Sequence, residues 1–253
     1  MSQYAFRAGA AAAGGYFTRP FAEPWPVQAA SFLMPVGGYG SARVRNVRFH
    51  EIVSFTTGYT QVIGTEYVRD GKMVRETLAS AVVEGLNILD VVTADRVVAR
   101  LTSETVGEAR PHDELNALPF GSYFENLRIA GQQVNPTCHP HLLDQRAATK
   151  SAIENSTEAR LFHPHAEADQ PALPVSRDST LRFSIFQPLE TQVAGGQTFP
   201  GCRIHIPSFG DIYLGEYVVS AGHRQLTMMR VELHSPEAGR LAFGSVEGNG
   251  STY

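Results

Sequence analysis

Apolar residues along much of this chain fall on every second position. The clearest stretch is residues 41–54, SARVRNVRFHEIVS, where Ala42 and Val44 share one parity and Val47 and Phe49 share the other. Such alternation marks a half-buried strand. The phase slips by one at Arg45-Asn46. Thirty-nine residues later the pattern returns as residues 80–93, SAVVEGLNILDVVT, with its slip at Glu84-Gly85. Ser80, Ala81, Val83 and Val92 repeat Ser41, Ala42, Val44 and Val53. A shorter echo, residues 125–129 (ENLRI), places Asn126 at the same repeat position. Asn and Gly accept left-handed backbone angles more readily than other residues. Their exchange at one position predicts a β-bulge, in which an extra residue restores the inward phase. Self-similarity at a fixed period signals repeated units.

The rest of the chain reads mainly as short strands. Tyr4 and Phe6 open a first strand that runs into a Gly-Ala stretch, AGAAAAGGYF, suited to close approach of another backbone. Residues 19–26 form a Pro-rich connection holding Trp25, and residues 27–34 a second strand. Arg69-Asp70-Gly71-Lys72 between two extended runs predicts a type I′ hairpin, because both central positions need positive φ. Residues 104–118 are polar and contain Pro111, which predicts a loop. Residues 141–153 are the best helix candidate, with Leu142, Leu143, Ala147 and Ile153 toward one face. Strands resume at Thr180: Leu181, Phe183 and Ile185 alternate, as do Ile204 and Ile206, and Met229, Val231 and Leu233. A further slip falls at Gly215-Glu216. The Gly-rich end, residues 243–253, is expected to be mobile.

The expected fold class is all-β: an antiparallel β-sandwich, barrel or solenoid-like sheet built partly from the repeated bulged strand unit, with at most one or two short helices. Three regions follow. Residues 1–130 form a repeat-containing β domain. Residues 131–178 are an irregular connection rich in Pro and His. Residues 179–253 are C-terminal strands completing the same core.

Composition narrows the functional classes. Of 253 residues, 43% are hydrophobic and 18% charged, as in a globular protein with a real core. The net charge is −4, and lysine occurs only at positions 72 and 150. Nucleic-acid binding therefore lacks its electrostatic source. No apolar run reaches the roughly 20 residues that span a bilayer. The N-terminal pattern has Arg7 as its only early cation and glycines interrupting its alanines, a poor signal peptide. A cytoplasmic location is favoured on that ground.

Two Cys-x-x-His pairs stand out: Cys138 with His141, beside His139, and Cys202 with His205. Two thiolates and two imidazoles can complete a tetrahedral zinc site. The candidate metal ligands are thus Cys138, His139, His141, Cys202 and His205, with His163 and His165 as further histidines nearby in sequence. Against convergence, residues three apart in a strand point to opposite faces. No nucleophile elbow, phosphate loop, dinucleotide fingerprint or metalloprotease helix appears, so no catalytic residue is assigned.

Residues 80–95, SAVVEGLNILDVVTAD, resemble the repeat of the bacterial surface proteins of the choice-of-anchor P type, and the resemblance covers residues 1–104. It implies a β-rich, surface-displayed protein without assigned catalytic residues. The chain departs from that pattern, since its residues suggest neither a convincing export signal nor a C-terminal anchor, and only the β-repeat carries over. The leading functional expectation is a non-catalytic binding or self-assembly protein whose partner is an unknown protein or another copy in a homo-oligomer. The alternatives are a metal-dependent hydrolase using the Cys/His site and a carrier of a small apolar ligand in a β cavity.

Overall fold

The computed structural model describes residues 4–107, 116–139, 181–189, 193, 195–220, 223–234 and 236–252. The candidate helix over residues 141–153, together with His141, His163 and His165, lies outside the described residues. Those described are almost wholly antiparallel strand, in two sheets packed as a sandwich with no closed barrel.

In chain order the strands are β1 (Tyr4–Arg19), β2 (Glu23–Phe32), β3 (Gly38–Phe49), β4 (Val53–Arg69), β5 (Lys72–Ile88), β6 (Val92–Val106), β7 (Asn116–Leu118), β8 (Tyr123–Glu125), β9 (Arg128–Ile129), β10 (Gln132–Gln133), β11 (Leu181–Ser184), β12 (Gln197–Phe199), β13 (Arg203–Ile206), β14 (Gly210–Ser220), β15 (His223–Leu233) and β16 (Ala238–Thr252). The first sheet runs β12-β13-β14-β15-β16-β1-β2, with β11 also on β14. The second runs β10-β9-β6-β5-β4-β3, with β7 and β8 also on β6. The N-terminal strands β1 and β2 thus share a sheet with the C-terminal ones. One core joins the sheets, and Trp25 illustrates it. Its ring lies 5.9 Å from Phe49, 6.4 Å from Phe55 and 5.8 Å from Phe243. Buried Tyr217 ties the sheets by donating to the Ala117 carbonyl at 3.1 Å.

The repeat positions carry the kink. Asn46, Gly85 and Asn126 have φ of 52°, 63° and 49°. The inward set changes parity there, from Ala79, Ala81 and Val83 to Leu86 and Ile88 in β5. The residues four positions on, His50, Leu89 and Ala130, are left-handed too, with φ of 48°, 50° and 50°. The equivalent amides of Leu89 and Ala130 donate to the equivalent carbonyls of Ile52 and Val91. No residue is inserted, however. Arg45 pairs Thr57 and Val47 pairs Phe55 in one unbroken register, and Glu84–Arg96 continues to Leu86–Ala94 likewise. The expected bulge is instead an in-register kink. Asn46, Thr56, Gly85, Asp95 and Asn126 lie side by side in one row across the sheet. Every strand changes phase at that level, so the ladder resumes without slipping.

The first sheet has a matching row: Gly215, Met228, Gly244, Ala12 and Ala29. Alternate strands again hold the left-handed residues, with φ of 64° at Gly215, 62° at Gly244 and 48° at Ala29. Energetics favour the kink. A left-handed non-glycine costs about 1–2 kcal/mol. Continued alternation past Gly85 would turn the buried Leu86 and Ile88 outward, forfeiting about 1.5–3 kcal/mol each.

Other expectations meet the structure directly. Asp70 and Gly71 both have positive φ between paired Arg69 and Lys72, as a type I′ turn requires. The ends of the expected 104–118 loop are strand: β6 runs to Val106, and β7 returns onto Thr102–Glu104. The C-terminal stretch is not a mobile tail. It forms β16, central between β15 and β1. Its glycines suit close packing where side chains and backbones crowd, as at Gly239, where a Cβ would meet the Tyr16 carbonyl at 2.5 Å.

The kink makes a prediction. A Cβ on Gly85 would lie 2.9 Å from the Thr56 side chain, in a left-handed backbone. Gly85→Val should cost about 2–3 kcal/mol in urea unfolding. Asn46→Gly, at a left-handed position, should cost nothing measurable. Equal stability of Gly85→Val and the parent protein would contradict the kink.

Candidate functional site on the outer face of the first sheet

The sequence-derived metal residues go to different places. Ile204 and Ile206 point into the core, so His205 points out, about one third exposed. Cys202 closes a single 3-10 turn, Pro200–Cys202, and is buried. The two members of that Cys-x-x-His pair therefore part: Cys202 sits in the turn before β13, with φ 55°, and faces the core, while His205 lies on the outer face of the strand. The Cys202 thiol donates to the Gln187 carbonyl at 3.0 Å. Cys138 bridges to Phe186, and its thiol reaches the Ser122 carbonyl at 3.6 Å. The His139 amide donates to the Ile185 carbonyl. Both cysteines thus border the same segment, Ile185–Gln187, as neutral donors. Burial pushes each thiol up to about 11.

His205 instead joins Asp211 and His234. This is the group of metal-capable side chains found within mutual reach among the described residues, its ligand atoms all within 4.8 Å of one another. Local sequence explains the meeting. Pro207, Ser208 and Phe209 turn the chain between β13 and β14, with Ser208 at φ 62° and the Phe209 amide on the Ile206 carbonyl. The turn sets His205 directly opposite Asp211. On the next strand Asp211 faces Glu232, and His234 lies two residues further, on the same face. The His234 amide is fixed by the Phe209 carbonyl at 2.9 Å.

Asp211 is the centre. Its side chain is 6% exposed. Oδ1 lies 3.2 Å from His205 Nδ1 and accepts from Arg203 Nε at 3.1 Å. Oδ2 lies 3.4 Å from His234 Nε2. The hydrogen bond from Arg203 to Asp211 raises the arginine's pKa above its ordinary value. The Arg203 guanidinium also lies over the rings of Phe199 and Tyr213, 5.0 and 5.9 Å from their centroids.

A second polar lattice continues along the same face. Arg230 makes a two-pronged bond to Glu216 at 2.7 and 2.9 Å and stacks 3.7 Å over Tyr213. Glu232 is committed to Arg230 at 2.5 Å and Arg240 at 2.6 Å. These contacts keep Glu232 from repelling Asp211 across the strand pair.

The family described as Domain of unknown function (DUF8256) matches residues 4–170. The chain belongs to this family. The DUF8256 match takes in β1 to β10, and therefore the kinked repeat and the Cys138 segment. His205, Asp211 and His234 lie beyond it. No curated protein and no solved structure matches the chain.

Sequence reading found His205 but not Asp211 or His234. The available signal was the hairpin Ile204-His-Ile-Pro-Ser-Phe-Gly-Asp211, in which a short turn places His and Asp opposite one another.

The thiols give a test. With thiol pKa values of about 11 in place of the ordinary 9.0, thiolate at pH 8 falls roughly a hundredfold. Alkylation of the native protein by iodoacetamide should be slower than that of the urea-unfolded chain by at least that factor. Cys138, half-buried, should react before Cys202. Mass spectrometry over time reads both, and rapid native labelling of Cys202 would refute its placement.

Proposed function

We propose that the protein is a non-catalytic binding module that takes an extended, acidic segment of a partner protein along β3. The observation that carries this reading is the exposure of β3. It is twelve residues long, pairs among the described residues only with β4, and contains no fully buried residue. No backbone ladder joins it to β2, the facing edge of the other sheet.

An unpaired strand edge offers a row of backbone donors and acceptors to an incoming strand. Arg43 and Arg45 stand exposed along it, and among the described residues neither has an ion-pair partner. Arg48 follows on the same strand, paired with Glu51. At the other end, where β2 turns into β3, Phe32, Met34, Val36 and Tyr39 are 66–82% exposed. Contiguous exposed apolar side chains of this size mark protein contact sites. Arginine along the edge with an apolar corner at its end fits a strand carrying acidic and apolar residues.

The same apolar corner favours a second reading, assembly with another copy. An antiparallel β3–β3 pairing centred on Val44 would set Arg43 against Arg45 of the second chain, so copies would meet through the corner.

Fluorescence anisotropy with two labelled eight-residue peptides, one alternating Glu and Val and one alternating Lys and Val, tests the proposal. The acidic peptide should bind about tenfold tighter or better at low salt. The double variant Arg43→Glu, Arg45→Glu should reverse the order. Equal binding of the two peptides, or indifference to the double variant, would reject the reading. A dimeric mass in solution that Val36→Asp converts to a monomer would replace it with self-assembly.

A further inference from the structure

The geometry points to a divalent transition-metal site of the zinc class formed by His205, Asp211 and His234. It is independent of the β3 reading and uses only one of the residues singled out from sequence.

Three features carry it. The first is spacing. Bonds of about 2.0–2.1 Å to a tetrahedral ion place its ligand atoms about 3.3 Å apart. His205 Nδ1 and His234 Nε2 lie 3.2 and 3.4 Å from the Asp211 carboxylate, one on each oxygen. One ligand atom from each residue lies within 4.8 Å of the other two, so small side-chain rotations bring all three onto one small ion.

The second feature is ligand chemistry. Two imidazoles and a carboxylate suit zinc, cobalt, nickel or copper better than calcium or magnesium, which prefer an all-oxygen shell. Asp211 is buried, yet its fixed cation, Arg203, engages only Oδ1. Oδ2 is left to His234 and to an ion. The Arg203 bond then orients the carboxylate in the manner of the hydrogen bonds that support metal ligands elsewhere. The nearby Glu232 is held by Arg230 and Arg240 and does not compete.

The third is rigidity with access. His205 and Asp211 are a cross-strand pair, and the His234 backbone is tied to the turn between their strands. The site needs no closure. His205 is one third exposed and His234 half exposed, so solvent or a ligand atom can fill the remaining coordination position. Three protein ligands leave a fourth position that water or a donor atom of a bound molecule can fill.

Calorimetric titration of the metal-stripped full-length chain with Zn2+, and absorption spectroscopy with Co2+, test this. One ion per chain should bind, with cobalt giving the visible bands of a low-coordinate site. His205→Ala and His234→Ala should each weaken binding by more than about a hundredfold, and Arg203→Gln by about tenfold. Cys138→Ser and Cys202→Ser should leave stoichiometry and cobalt spectrum unchanged. Because both histidines are partly exposed, their variants should fold, and their unliganded melting temperatures provide the check. Zinc should raise the melting temperature of the parent protein but not of His234→Ala. The proposal fails if no saturable binding occurs at micromolar zinc. It also fails if the histidine variants bind like the parent, or if a cysteine variant abolishes binding.

Discussion

The two rows of left-handed residues constrain everything else in this sandwich. A strand that reverses its side-chain phase alone would lose its ladder or push its apolar residues into solvent. Here the reversal is shared. In each sheet a left-handed residue in every second strand lies beside a regular residue in the strands between, and the register is the same on both sides. Side chains add bonds at the row: Thr56 Oγ1 donates to the Glu84 carbonyl at 2.8 Å. Asn126 Nδ2 reaches Asp95 Oδ2 at 2.6 Å in the same row. The row of the first sheet packs on residues just beyond the row of the second. A Cβ on Gly58 would touch Ala12, and one on Gly244 would touch Val97 and Ala99 across the interface.

The polar lattice on the outer face depends on this device. In β14 the inward residues are Ile212 and Leu214 before Gly215, then Tyr217 and Val219 after it. The outward residues accordingly switch from Asp211 and Tyr213 to Glu216. Without the switch, Glu216 would point into the core and Tyr217 out. With it, Asp211, Tyr213 and Glu216 all face the basic residues of β13 and β15, and one continuous charged network spans the kink. Strand-level packing thus decides which side chains are available for chemistry.

The second sheet was more legible in the sequence than the first. Asn46, Gly85 and Asn126 combine a phase change with residue types that tolerate positive φ, and they recur. In the first sheet only Gly215 showed both signals. Ala29 is left-handed without being a residue type that favours it, and its conformation is imposed by neighbours. Gly244 stood in a Gly-rich end that local composition marks as mobile, although pairing on both sides makes it a central strand. The site was harder still. His205 drew attention through its spacing from Cys202, a relation broken by the turn that buries the thiol before the strand begins. Its actual partners come from a hairpin and a third strand, and such neighbours are set by topology rather than by local spacing.

The repeat also acts as a ruler. Asn46 to Thr56 and Gly85 to Asp95 are both ten residues, measured around the two hairpin turns at His50 and Leu89. Inserting a single residue into either hairpin would lift one arm's row position out of line with the other. Length can change there only symmetrically, one residue on each arm. Thr56 and Gly85 are level across the β4–β5 hairpin as well, but far from its turn, so an added residue can be absorbed at Asp70-Gly71 before the row is reached. Natural variation in chain length within the family should accordingly collect at that end of the sandwich and spare the other.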